Sequence, residues 1–333
     1  MSGLAINANS IVLSTDKTNS ADLPTLVYID RGTNRVKFVA QICDSEPAPL
    51  RPKAGIDEDG TVEFVSGQKV YRCTSSGRVT LLGNALSSMR KVNPLCLNVS
   101  SNVDLMACLR LPPTRQGQPT RLAILNSHGT APSDACAGVY VGSSIATLQA
   151  YRGGAPCPEV YGGADALSGP HGLAYNADTD EMVMTVINNQ IVLFSQASNS
   201  DVSAADQYRV ASLTSPSLLR GKDGYKRITA MGKYSWIGVD DARNALVRLD
   251  WPPDAPSPTQ QVYAEVQGTI TTDHGSIDLL EGVIDYPIFL ENTLYVAWRP
   301  STDNGVGSLV LQVSQLGIFS LVFGPIAVEA THS

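Results

Sequence analysis

The sequence predicts an all-β fold, a β-propeller of about six to seven blades. Three observations lead there. Helical periodicity is nearly absent, while short strand-like runs separated by Gly, Asn, Asp, Ser and Pro fill the chain. One unit recurs, consisting of a β-rich run, a turn and a second β-rich run. Its anchors Tyr28, Tyr71, Met106, Tyr140, Met184, Trp236 and Tyr295 stand on average about 44 residues apart, inside the range of propeller blades. Two stacked β-sandwich or barrel domains are the alternative packing of the same strands.

Seven copies of the unit follow in order. The first joins the run from Thr25 to the run from Arg35 through Arg31-Gly32-Thr33-Asn34. The second joins Lys69-Val70-Tyr71-Arg72-Cys73 to the run from Arg78. The third spans a run from Asp104 and one from Arg121, with a proline-bearing turn between. The fourth pairs Gly138-Val139-Tyr140-Val141 with Ile145-Ala146-Thr147-Leu148. The fifth, sixth and seventh start at Glu181, Tyr234 and Thr293. Further runs precede four of these hairpins, beginning at Val62, Gly172, Arg227 and Tyr286. A lone hairpin cannot bury both faces, whereas sheets stacked around an axis can.

The whole chain, 1–333, therefore reads as a single propeller-like domain. Ile11-Val12-Leu13 is expected to pair with Leu321-Val322-Phe323 and close the ring, which would satisfy open strand edges. Residues 195–226 read as a polar insertion with a short helix around 202–210. Residues 251–259, with Pro252, Pro253, Pro256 and Pro258, read as a linker.

Composition narrows the function. The chain carries 24 Lys and Arg against 31 Asp and Glu, for a net charge of −7, and only 17% of its residues are charged. No basic stripe stands out against that balance, so nucleic acid is not an expected partner. No run reaches the roughly 18 apolar residues of a membrane span. The first residues lack the cationic and apolar regions of a signal peptide, which points to a virion or host-cytoplasm location. The six cysteines, Cys43, Cys73, Cys96, Cys108, Cys136 and Cys157, contain no C-x-x-C pair and read as reduced core residues. A Cys136–Cys157 bridge is the alternative for that pair.

The stretch from Gly169 through Pro170, His171, Gly172, Leu173 and Ala174 to Phe194 resembles a blade of the NHL and gluconolactonase-type propellers. Such blades run Pro-x-Gly-Leu/Ile-Ala, an acidic turn, a strand, an Asn-rich turn and a further strand. The likeness implies a propeller fold. Gluconolactonase-type enzymes hold a divalent cation in the channel with Glu, Asn and Asp. Here His171 stands at the usual Asn place, and the first Glu of the chain is Glu46, so the implied cation set is incomplete.

Reactive groups are sparse. His128, in Asn126-Ser127-His128, lies near Asp134, but no Gly-x-Ser-x-Gly elbow supplies a nucleophile. His274 reads as a turn residue and His332 as a terminal one. The acidic stretches Asp57-Glu58-Asp59-Gly60, Asp178 to Glu181 and Asp240-Asp241 fall at expected turns, where Asp and Gly serve the backbone. Ca2+ is the one cation they would suit, yet none continues into a complete calcium loop. Gly153-Gly154 and Gly162-Gly163 lack the lysine of a phosphate loop. Tyr151, Tyr161 and Tyr175 are candidates for a sugar-binding surface or for strand packing. Asn98-Val99-Ser100 matches a glycosylation sequon, which has no meaning without secretion.

No catalytic, cofactor-binding or metal residue is assigned from this pattern. The expected function is a non-enzymatic structural or interaction subunit of a large assembly, a virion component such as a phage tail hub, nozzle or spike. Its partners would be other protein subunits, including copies of itself as a homo-oligomer. A metal-dependent lactonase-like hydrolase and a carbohydrate-binding propeller are the alternatives.

Overall fold

The computed structural model describes residues 3–15, 25–41, 51–92, 105–113, 117–126, 138–151, 170–186, 190–198, 208–213, 225–240, 243–301 and 307–326. Of these, 64% are strand and 6% helix, arranged as a six-bladed β-propeller.

Each blade is four consecutive antiparallel strands, and blades 1 and 2 are joined into one eight-stranded sheet by a single parallel bridge between Leu4 and Lys53. Blade 1 holds β1 (Gly3–Ile6), β2 (Ser10–Thr15), β3 (Thr25–Asp30) and β4 (Arg35–Gln41). Blade 2 holds β5 (Arg51–Ile56), β6 (Val62–Ser66), β7 (Lys69–Cys73) and β8 (Val79–Asn84), followed by helix α1 (Ala85–Val92). Blade 3 holds β9 (Leu105–Leu111), β10 (Arg121–Asn126), β11 (Gly138–Gly142) and the short β12 (Gln149–Ala150). Blade 4 holds β13 (Pro170–Asn176), β14 (Glu181–Val186), β15 (Gln190–Phe194) and β16 (Tyr208–Ser212). Blade 5 holds β17 (Tyr225–Gly232), β18 (Ser235–Asp240), β19 (Ala245–Asp250) and β20 (Thr259–Glu265). A small hairpin, β21 (Thr269–Thr272) and β22 (Gly275–Asp278), leads to blade 6: β23 (Gly282–Leu290), β24 (Thr293–Pro300), β25 (Ser308–Val313) and β26 (Phe319–Ile326).

The first strands β1, β5, β9, β13, β17 and β23 each touch the first strand of the next blade, and β23 touches β1, so the ring is complete. Six apolar cores fill the six gaps between blades. Alternation explains this: a blade strand sends successive side chains to opposite faces, and each face meets a neighbouring sheet. Strands such as β6, β10, β14 and β18 are therefore buried along their whole length.

Seven hairpins give six blades because the third and fourth share blade 3. The expected strand at Ile145 is a single 3₁₀ turn, Ile145–Thr147. The turn presses its backbone against Gly142, where a Cβ would lie 2.7 Å from the Thr147 carbonyl.

Three other expectations are corrected. The ring closes between blades 6 and 1 without the expected strand exchange. Residues 11–13 bond to β1 and β3, and residues 321–323 lie in β26, paired with β25. Closure comes instead from packing, with Leu4, Ile11 and Ile29 against Tyr295, Ala297 and Val310. The segment 195–226 contains β16, the outer strand of blade 4, paired residue by residue with β15; Val210 of the expected helix is in that strand, and residues 202–207 lie outside the described residues. Residues 251–259 are a turn inside blade 5 rather than a linker. Trp251 there is wholly buried, and its Nε1 donates to the Ala255 carbonyl at 3.2 Å.

Candidate functional site

The acidic stretches lie in turns. Asp57, Glu58, Asp59 and Gly60 connect β5 and β6, with Asp59 accepting from the Thr61 amide at 2.9 Å. In the β13–β14 turn, Asp180 accepts from Tyr175 Oη at 3.0 Å and from the Ser198 amide at 2.8 Å. Asp240 ends β18, and Asp241 lies outside the described residues. His274 occupies the β21–β22 turn, its amide donating to Thr272 Oγ1. His171 lies in β13. His128, Asp134, His332, Tyr161, Cys43, Cys96, Cys136, Cys157, Asn98 and both glycine pairs lie outside the described residues. Cys73 and Cys108 are buried free thiols, and burial pushes both thiols up from their ordinary value. Tyr151 and Tyr175 pack against the core between blades 3 and 4, Tyr151 edge-on to Phe194. Among the described residues no group of three His, Cys, Asp or Glu side chains could hold a metal.

Polar side chains instead tie blades together at one repeated place, the turn after the first strand. Asn7 Nδ2 donates to the Asp57 carbonyl of blade 2 at 2.5 Å, while its Oδ1 holds the amides of Asn9 and Ser10. Asn176 does the same from blade 4, donating to the Gly232 carbonyl of blade 5 at 2.8 Å and holding the Asp178 amide. In blade 2 the matching residue is Asp57, which accepts from Arg110 Nη1 of blade 3 at 2.7 Å. Such side chains mimic a backbone turn and leave one polar atom for the neighbour.

Arg110 belongs to an ionic cluster. Its Nε and Nη2 donate to Glu63 at 3.1 and 2.8 Å, and Arg72 Nε donates to the same carboxylate at 3.1 Å. Glu63 is 1% exposed. Burial by itself would push its carboxyl up, but the bonds from Arg110 and Arg72 together outweigh that and hold it below its ordinary value. Asp57 is pushed up, because burial and the nearby carboxylates of Glu63 and Asp59 outweigh the pull of Arg110 and Arg72.

The first strands β1, β9, β13, β17 and β23 line an open cavity of about 170 Å³. Its wall includes Leu4, Leu109, Arg110, Leu173, Arg227 and Tyr286. Two β-bulges shape it. The register of β17 shifts between Tyr225 and Ile228, around Arg227, and that of β23 shifts between Asp285 and Ile288, around Tyr286. Bulges re-aim side chains. Tyr286 has φ +50°, in the left-handed region that a bulky residue rarely adopts, and its amide donates to Asp285 Oδ1 at 2.9 Å. The Arg227 guanidinium lies 4.9 Å from the centre of the Tyr286 ring, and Nη2 donates to Tyr286 Oη at 3.3 Å.

Of these residues the sequence marked Asp57 only as part of an acidic turn, and Arg227 and Tyr286 only as starts of strand runs. The available signal was a charge inside an apolar run: Glu63 in Val62-Glu63-Phe64-Val65, and Arg110 in Cys108-Leu109-Arg110-Leu111. The Tyr286-Pro287 pair, which breaks strand alternation, marks the bulge.

No protein-family model and no curated protein matches the chain. Solved propellers do resemble it in fold. A luciferin-regenerating enzyme matches at 10% identity and TM-score 0.54, covering 96% of this chain and 94% of that one. The β-propeller domain of Cps50 (Swd1) from Myceliophteria thermophila matches at 9% identity and TM-score 0.53, covering 96% and 84%. PorZ, a surface component of the type-IX secretion system of Porphyromonas gingivalis, matches at 10% identity and TM-score 0.48, where the chain covers 98% of itself but only 38% of PorZ. The likeness to the first two, at such identities, establishes the fold alone.

Proposed function

We propose that this propeller is a non-enzymatic interaction subunit of a larger protein assembly, and in the finer form of the reading a virion component such as a tail hub, nozzle or spike. The observation that carries the proposal is apolar surface on the rim. On β4, the outer strand of blade 1, Val36 and Val39 are 50% and 54% exposed. Leu81 on β8 is 50% exposed, and Leu316 and Ile318, in the turn between β25 and β26, are 86% and 62% exposed. Single exposed apolar residues are ordinary. Here Val36, Val39 and Leu81 sit on outer strands, whose free edges already offer backbone donors and acceptors to a partner, and Leu316 and Ile318 sit in the turn that leads into the outer strand of blade 6. Lysine and arginine, the residues that usually blunt an edge, flank Val36 on β4 but are absent from the turn at Leu316.

Mass photometry of the purified chain tests the reading, with multimers expected. The double substitutions Val36→Asp with Val39→Asp, or Leu316→Asp with Ile318→Asp, should return the chain to monomer without lowering its melting temperature. A chain monomeric at every concentration, or one that hydrolyses a lactone with a stoichiometric bound cation, overturns it. Electron microscopy of the particle containing the chain tests the virion form.

A further inference from the structure

We propose that the groove across the turns of blades 1 and 2 binds a hydroxylated primary ammonium, a ligand of the amino-sugar class, with Glu58 meeting the ammonium and Ser10 meeting a ligand hydroxyl. The inference stands apart from the assembly role proposed above. Four turns build the groove: β1–β2, β3–β4, β5–β6 and β7–β8. In a run of antiparallel strands the first and third turns fall at the same end, so these four meet on one face of the propeller. The groove is open and measures about 490 Å³, the size of a small-molecule site. It takes in Glu58 and Asp59 of the acidic stretch that stands out in the sequence.

Charge is the first argument. Asp30, Glu58 and Asp59 line the groove against one cation, Lys37. Lys37 Nζ already lies 3.1 Å from Asp30 Oδ2. The two oxygens of Asp59 accept from Thr61 at 2.9 and 3.1 Å. Glu58 is bonded through its carbonyl, which accepts from Asn7 Nδ2 at 3.4 Å, and its carboxylate has no partner among the described residues. One carboxylate therefore remains for a ligand cation. Among the described residues no three acidic side chains converge as a metal would need, which favours an organic ammonium.

The second argument is a hydroxyl. Ser10 is only 6% exposed, it is part of the groove wall, and its hydroxyl has no hydrogen-bond partner among the described residues. A buried polar group left unpaired is costly, and a ligand hydroxyl, which donates and accepts as serine does, satisfies it. Asn9 and Ser75 add an amide and a second hydroxyl to the same wall. Space is the third argument. Gly60, at φ +85°, leaves the middle of the groove open: a Cβ there would stand 3.3 Å from Ser75 Cβ and 3.6 Å from Ser10 Oγ. The groups of blades 1 and 2 thus face one point.

The intact chain is titrated by NMR at about pH 6, below the ordinary range of an amine, with D-glucosamine, with D-glucose and with cyclohexylammonium. Glucosamine is expected to bind saturably at one per chain, and glucose and cyclohexylammonium at least about tenfold more weakly. Glu58→Gln should weaken glucosamine by about tenfold and leave glucose unchanged. Ser10→Ala should weaken glucosamine by about threefold. Ser75→Phe, which fills the groove and changes no charge, should abolish binding; if it does not fold, Asn9→Phe takes its place. Either control binding as tightly as glucosamine, undiminished binding in Glu58→Gln or in the filled variant, or no saturable glucosamine binding up to about 20 mM overturns the proposal.

Discussion

Between blades 2 and 3 the ring buries a carboxylate beneath two part-exposed guanidiniums, whereas between blades 4 and 5 it buries two indoles. Glu63, Arg72 and Arg110 occupy the first gap beside the wholly buried Cys108. Trp236 and Trp251 fill the second at 0% exposure, with Ile191, Leu193 and Leu249 around them. Arg209 of blade 4 caps this apolar gap, its guanidinium 4.8 Å from the Trp251 ring centre and its Nη1 donating to the Pro252 carbonyl at 2.8 Å. The indole gap is held by non-directional area, the ionic gap by geometry. An ion cluster around a buried carboxylate adds little net stability but fixes which groups meet; here it fixes how β9 sits against β6 and so where Arg110 lies.

The largest expected effect comes from breaking the ionic gap. Glu63→Ala leaves the half-buried Arg110 with Asp57 as its remaining carboxylate and should cost about 3–4 kcal/mol in denaturant unfolding, toward the lower end for a broken buried ion pair. Trp251→Ala should cost about 3 kcal/mol, by lost area and a partly collapsing cavity, and unlike the first loss it should be the same at every pH. Acid separates the gaps further. Glu63 is held below its ordinary value of 4.5 in the fold, so its stabilisation is present above that pH and is lost as pH falls through the folded value. Asp57 is shifted the other way, so its protonation favours the fold and offsets part of that loss. Glu63→Gln should therefore flatten the acid limb of stability against pH, and Trp251→Ala should leave its shape intact. Arg209→Ala removes the cap and should cost about 1–2 kcal/mol. The smallest effect is expected for Trp236→Phe, below about 1.5 kcal/mol, because the buried Trp236 Nε1 has no hydrogen-bond partner among the described residues and its removal offsets lost area. A larger cost there would show that the indole gap depends on shape as closely as the ionic gap does.

The two gaps were not equally legible in the sequence. Period-two alternation and turn residues reveal the hairpins, because both faces of every blade strand need a neighbour. They also point to tryptophans as core. They do not reveal that Ile145 begins a 3₁₀ turn, since the same apolar spacing suits a short strand and only the closeness of Gly142 to Thr147 decides it. Tyr208–Ser212 was hidden by its polar surroundings, although β15 pairs along all of it. Glu63, Arg110 and Arg227 were hidden for a different reason. One charge on a strand looks like a solvent-facing position, and its partner on another blade is 47 residues away for the Glu63–Arg110 pair. Periodicity is local, whereas charge pairing across a ring is not.

The closure between blades 6 and 1 has its own consequence. Every blade is cut from one uninterrupted stretch of chain, so no sheet borrows a strand from the far end. The seam depends on packing and on Arg31, which reaches Tyr295 Oη at 2.6 Å and Glu291 at 3.2 Å. Such a ring resembles a split washer more than a laced one: each leaf is self-contained, and the slit is where a leaf could be gained or lost by duplication without unpicking any of the others.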